Sequence, residues 1–217
     1  MRKLFLSAGV LAASGVPALA HHPLGGMPME TFTHGLLSGI GHPILGFDHL
    51  FFIALVGIAA LYTGFKRVAP AAYIVAMLAG CLLMNAGIGL PIKETVIGVS
   101  LLALGAVVLS GRALSIVPAL AIFAGFGLFH GSAFGESLAA QESAIGGHVL
   151  LGYLIGLGVI QYAIALAAGW IAETMWKATD ATAMGARLSG AVVAGMGLFL
   201  TLENAESFVF SAFGWAS

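Results

Sequence analysis

HPILGFDHLFF, residues His42 to Phe52, places two histidines and an aspartate at the head of an apolar run that meets no further charge until Lys66. Asp48 at the mouth of a membrane-spanning helix costs up to about 2.5–3.5 kcal/mol if it reaches the bilayer centre, so ionisable groups in such a place mark a functional site. Imidazole and carboxylate together suit a divalent metal ion. The stretch therefore reads both as the start of a span and as a metal-capture site.

The geometry of a helix limits that site. Pro43 suits a first helical turn, where its missing N–H would have had no intrahelical partner. In one continuous helix His42 and His49 share a face but stand roughly 10 Å apart along the axis, and Asp48 and His49 diverge by about 100°. One ion held by all three needs His42 to fold back from a non-helical entry, or ligands from another helix, and the second arrangement fits the rest of the chain better.

Of 217 residues, 60% are hydrophobic and 8% charged, against about 25% charged in a soluble domain. This composition belongs to an all-α polytopic membrane protein. A net charge of −1 leaves no basic footprint for nucleic acid, and the chain has no GxxxxGK[ST] loop for ATP. Its single cysteine, Cys81, allows neither an intrachain disulfide nor a thiolate cluster, so any metal must use nitrogen and oxygen ligands. No permanently bound cofactor is expected, and the only implied partners are the bilayer and a divalent ion as cargo.

Residues 1–20 join Arg2 and Lys3 to a short apolar core and the small-residue ending Ala18-Leu19-Ala20, the pattern of a cleaved signal peptide. Cleavage would expose His21-His22, a terminal chelate for scarce metal. Residues 21–42 form an extracytoplasmic lead-in that also carries Glu30 and His34. Six apolar segments follow near 43–63, 70–90, 95–111, 115–135, 147–172 and 185–203, which predicts a six-helix domain over 43–204, followed by an aromatic tail at 205–217. Lys66, Arg67, Arg112, Lys177 and Arg187 fall in alternate connections. By the positive-inside rule those connections are cytoplasmic, and both termini lie outside the cytoplasm.

The fourth segment holds Gly127, Gly131 and Gly135, a four-residue repeat that lets helix backbones approach closely in lipid. That marks it as a packed, central helix, and the short GRALS connection makes it an antiparallel neighbour of the third. On it lies FHGSAFGE, with His130 near the outer end and Glu136 at the boundary. By this topology the first and fourth segments meet at one end, so His130 and Glu136 face His42, Asp48 and His49. His148 opens the fifth segment as an interfacial residue or a secondary ligand. The cytoplasmic half shows little beyond Glu173, Ser100 and a few hydroxyls.

The motifs HPxxGxDH and FHGxAxGE, together with the signal peptide and six spans, resemble the HupE/UreJ family of membrane permeases found beside hydrogenase and urease genes. The resemblance implies facilitated uptake of Ni²⁺, in some members Co²⁺, with the motif His, Asp and Glu residues needed for transport. The expected metal set is then His42, Asp48, His49, His130 and Glu136, with secondary capture by His21, His22, His34 and His148. Two other readings compete with this non-enzymatic permease. An intramembrane zinc metallohydrolase could use the same cluster, with Ser132 as a candidate nucleophile. A non-transporting accessory that delivers metal to an enzyme should carry large soluble loops.

Overall fold

The computed structural model describes residues 28–139 and 146–214. The predicted signal peptide, His21 and His22 lie outside the described residues, which contain helices and no strand. In order the helices are α1 (Phe32–Leu45), α2 (Phe47–Ala60), α3 (Val68–Asn85), α4 (Lys93–Leu109), α5 (Ile116–Ala139), α6 (Gly147–Thr174) and α7 (Met184–Ala212). A 3-10 turn, Leu61–Thr63, extends α2. All six apolar segments of the sequence are helical. Helices α3, α5, α6 and α7 are each long and apolar enough to cross a membrane, and the bent pair α1–α2 makes a fifth candidate. The 17 residues of α4 reach only about 25 Å, short of the ~30 Å hydrocarbon thickness.

The entry to the bundle differs from the sequence expectation. Much of the lead-in is helical: the Thr31 hydroxyl accepts a hydrogen bond from the His34 N–H at 3.1 Å and caps α1. Pro43 lies inside α1 rather than opening a span. There it removes one i→i−4 bond close to the helix end. Gly46 then adopts an extended conformation (φ −82°, ψ 95°), and α1 and α2 meet at a bend of 82°. Gly46 also leaves room for the motif, because a methyl group there would stand 3.0 Å from the His49 ring and 3.3 Å from an Asp48 carboxylate oxygen.

Every residue of α2 from Leu55 to Ala60 is buried, as expected of a helix that is apolar on all sides. Helix α2 is therefore the centre of the bundle, the place the glycine repeat had suggested for α5. Around it the other helices pack in three close pairs, α1 with α6, α3 with α5, and α4 with α7. Glycines permit each approach. A side chain at Gly131 or Gly135 of α5 would run into the backbone of α3 at Met77 or Cys81, and one at Gly39 of α1 into Tyr153 of α6. Helices α4 and α5, joined by the short GRALS connection, touch only modestly. Each finds its main partner elsewhere, because the glycine faces, and not the loop length, decide which backbones meet.

The two ends differ in charge. Lys66 pairs with Glu173 at 2.7 Å, the Arg187 Nε donates to the Leu109 carbonyl at 2.9 Å, and the Tyr62 hydroxyl donates to the Ala178 carbonyl. These contacts gather the connections carrying Lys66, Arg67, Arg112, Lys177 and Arg187 at one end. The opposite end holds Asp48, Lys93, Glu94, Glu136 and His148. Helix α7 continues without a break to Ala212, so the aromatic segment after residue 204 begins as an extension of the helix rather than as a separate tail.

Candidate functional site

The two motifs meet. His49, 6% exposed, and His130, fully buried, bring their Nδ1 atoms to 2.7 Å. His49 comes from the first turn of α2, aimed inward by the bend at Gly46. His130 comes from α5 and stacks on Phe52 with ring centroids 4.4 Å apart. Phe134, one turn further along α5, covers His49 at 4.2 Å. The pair is held in an aromatic clamp inside the bundle.

Asp48 flanks the other side of His49, its Oδ2 3.8 Å from His49 Nε2. Two donors each about 2.1 Å from one divalent ion can stand no more than about 4.2 Å apart, so this spacing fits a shared cation. Asp48 and His130 address opposite edges of the His49 ring, so the three do not converge on one point. Among the described residues, no group of three His, Cys, Asp or Glu side chains closes tightly enough to hold one ion.

His42 arrives through the bend. Its ring centroid is 6.3 Å from that of His49, nearer than the ~10 Å axial spacing of a straight helix. His42 stays helical in α1, and the break at Gly46 with the 82° turn between α1 and α2 brings it close. Its Nδ1 lies 3.0 Å from the Tyr153 hydroxyl and 3.3 Å from Ser137 Oγ. The Tyr153 hydroxyl in turn donates to the Phe134 carbonyl, which ties α1 to α5 and α6.

The remaining predicted residues lie further out. Glu136 is half exposed and paired with Lys93 at 2.9 Å, at the rim rather than against the histidines. His34 Nδ1 accepts from the Glu30 N–H at 3.3 Å, and His148 Nε2 donates to the Glu30 carbonyl at 3.0 Å. Both fasten the chain entering α1 and stand apart from the buried pair. Ser132 Oγ accepts from the Leu90 N–H at 3.1 Å, which pins the α3–α4 connection over α5.

Four residues enter the site without having been singled out for it. Ser100 of α4, placed by the sequence reading in the cytoplasmic half, is fully buried with its Oγ 2.9 Å from His130 Nε2. Glu94, in the first turn of α4, interacts electrostatically with His49 and Asp48. Deeper in the bundle the Tyr73 hydroxyl donates to Gln161 Oε1 at 2.9 Å, with the Tyr73 ring 5.9 Å from that of His130. Hydroxyls and amides carry no metal-motif signature in a sequence, and only the facing helices reveal what they serve.

An apolar helical bundle with a buried, carboxylate-flanked histidine pair defines a membrane protein with a polar site inside it. The HupE / UreJ protein family matches residues 9–200, and the chain belongs to that family. It is 34% identical over 139 residues to Protein HupE of Rhizobium leguminosarum bv. viciae, a match covering 63% of this chain and 70% of that protein. No solved structure matches the chain.

Proposed function

We propose that this protein is a nucleotide-independent permease that carries Ni²⁺, with Co²⁺ as a second cargo, through the inner membrane to supply metalloenzymes such as hydrogenase or urease. The supporting observation is the junction of the two motifs: His49 and His130 at 2.7 Å, with Asp48 beside His49, inside an apolar bundle. An ion leaving water needs compensating charge and lone pairs together. Asp48 supplies the charge and His49 the nitrogen.

In this reading Glu136 and Glu94 attract the ion at the mouth, and His42, Asp48 and His49 form the receiving site. His130 holds His49 from behind. The His21-His22 chelate, with His34 and His148, raises the local concentration of scarce metal. Beyond His130 the next polar groups are Tyr73 and Gln161, which offer a weakly binding continuation of the path. A transporter needs such weak steps, since a site of ideal ligands would keep its ion. The end rich in Lys66, Arg67, Arg112, Lys177 and Arg187 faces the cytoplasm by the positive-inside rule, and six crossings follow if the bilayer thins locally around α4.

The hydrolase alternative is less well supported by the geometry. Ser132 Oγ accepts from a backbone N–H, while His130 spends its two nitrogens on His49 and Ser100. The Ser100 hydroxyl itself is fully buried and donates to the Ile97 carbonyl at 2.7 Å, which leaves no approach for a substrate.

The test is uptake of radioactive Ni²⁺ into proteoliposomes holding the purified chain, without nucleotide, with Co²⁺ and Zn²⁺ as competitors. Saturable entry above that of empty vesicles is expected, with Co²⁺ the stronger competitor, and entry no faster than leakage sinks the proposal. Asp48→Asn keeps the shape and removes the charge. At an effective dielectric of 20, two unit charges 4 Å apart attract by about 4 kcal/mol, so a rise in the apparent KM of ten-fold or more is expected. An unchanged KM for Asp48→Asn would remove the carboxylate from the path.

A further inference from the structure

We infer that Ser100 is a positioning residue that sets the direction of the hydrogen bonds through His130 and His49, and so turns a bare nitrogen of His49 toward the ion. This rests on the receiving site proposed above and assigns a function to a serine outside both motifs.

The chain of contacts runs Ile97 carbonyl, Ser100 hydroxyl, His130, His49, Asp48. Its direction follows from counting protons. A carbonyl oxygen can only accept, so the 2.7 Å contact between Ser100 Oγ and the Ile97 carbonyl uses the single proton of the hydroxyl. Ser100 Oγ therefore accepts from His130 Nε2, 2.9 Å away, and His130 carries its proton on Nε2. A neutral imidazole protonated at Nε2 is a bare acceptor at Nδ1. The 2.7 Å contact between the two Nδ1 atoms must then be a hydrogen bond donated by His49. Neutral His49, with its proton on Nδ1, presents an unprotonated Nε2 on the side where Asp48 Oδ2 stands 3.8 Å away. A lone pair and a carboxylate thus face the same point, and neither histidine has to lose a proton to receive a cation.

Reversing the chain closes the site. If the Ser100 proton turned to His130, His130 would donate through Nδ1, and His49 would carry its proton on Nε2, where the ion has to bind. Two features oppose that reversal. The Ile97 carbonyl would lose its contact with the hydroxyl, and Ser100 and His130 are fully buried, where no solvent can restore a lost partner. Outer hydrogen-bond partners of metal-binding histidines fix ring tautomers in this way, and their removal typically lowers metal affinity about 10–100-fold.

The test pairs a spectroscopic readout with transport. In metal-free protein labelled with ¹⁵N-histidine, nitrogen chemical shifts distinguish Nδ1–H from Nε2–H tautomers, with His49→Gln and His130→Gln supplying the assignments. His49 should be Nδ1–H and His130 Nε2–H in the unmodified chain. Ser100→Ala, a smaller residue that the core accepts, should move His49 toward Nε2–H and raise the apparent KM for Ni²⁺ about 10-fold or more, with a much smaller change in maximal rate. Ser100→Thr retains a hydroxyl able to bond its own helix carbonyl and should restore both readouts. An unmodified chain with His49 as Nε2–H overturns the inference, as does a Ser100→Ala protein with unchanged tautomers and KM, or a Ser100→Thr protein indistinguishable from Ser100→Ala. Failure of the transport reading would show separately, as absent Ni²⁺ entry with the tautomer pattern intact.

Discussion

His49→Ala should lower Ni²⁺ entry by about two orders of magnitude or more, at trace and at saturating metal alike, while the protein still reaches the membrane. Three contacts make this residue the most sensitive in the chain. It faces Asp48 at 3.8 Å, bonds His130 at 2.7 Å and packs on Phe134 at 4.2 Å. Removing the ring takes away the proposed receiving nitrogen and leaves Asp48 without the group that would share a cation with it. His34→Ala and His148→Ala are the controls, since each loses one hydrogen bond to the backbone of Glu30. They should reduce entry only when metal is scarce. The measurement is initial uptake per molecule of protein in the membrane, across a metal titration. If His49→Ala carried metal as well as His148→Ala does, the histidine pair would be a packing feature and the path would have to be sought elsewhere.

The meeting of the two motifs was legible because hydropathy fixes the number and direction of helical segments, and direction alone brings the start of α2 to the second half of α5. The bend at Gly46 was not. A helix break needs only one residue in an extended conformation, and nothing in Leu45-Gly46-Phe47 distinguishes that from a glycine within a continuous helix. The consequence is large, because the 82° turn brings His42 close to His49 while His42 stays helical. The partner of Glu136 was equally hidden. A motif carboxylate reads as a ligand until the structure sets Lys93 2.9 Å from it. Ser100 was assigned to the cytoplasmic half, although a segment entering from the outer side near residue 95 puts it in the outer half by residue count alone. Helix α4 is only 17 residues long, and seven residues past Lys93 it has descended about 10 Å, level with His130.

Gly131 stands beside His130 in the second motif, yet its part is mechanical, and Gly131→Leu should abolish assembly of the bundle rather than merely weaken metal binding. A side chain at Gly131 would overlap the Met77 carbonyl and crowd the Cys81 backbone nitrogen. Both are parts of the main chain of α3, which cannot rotate aside as a side-chain tip can. Overpacking a well-filled core typically costs about 1–3 kcal/mol even when side chains can yield, so a clash with backbone should fall at or above the upper end. Helices α3 and α5 form one of the three close pairs, and the same approach holds His130 against Tyr73. Gly125 makes the matched control: it lies on the same helix with nothing near the position of an added methyl group. Thermal unfolding in detergent, followed by helical circular dichroism and size-exclusion profile, should show Gly131→Leu aggregated or melting far below the unmodified chain and Gly125→Leu close to it. A Gly131→Leu protein that kept its melting temperature but lost uptake would move this glycine from packing into the transport path.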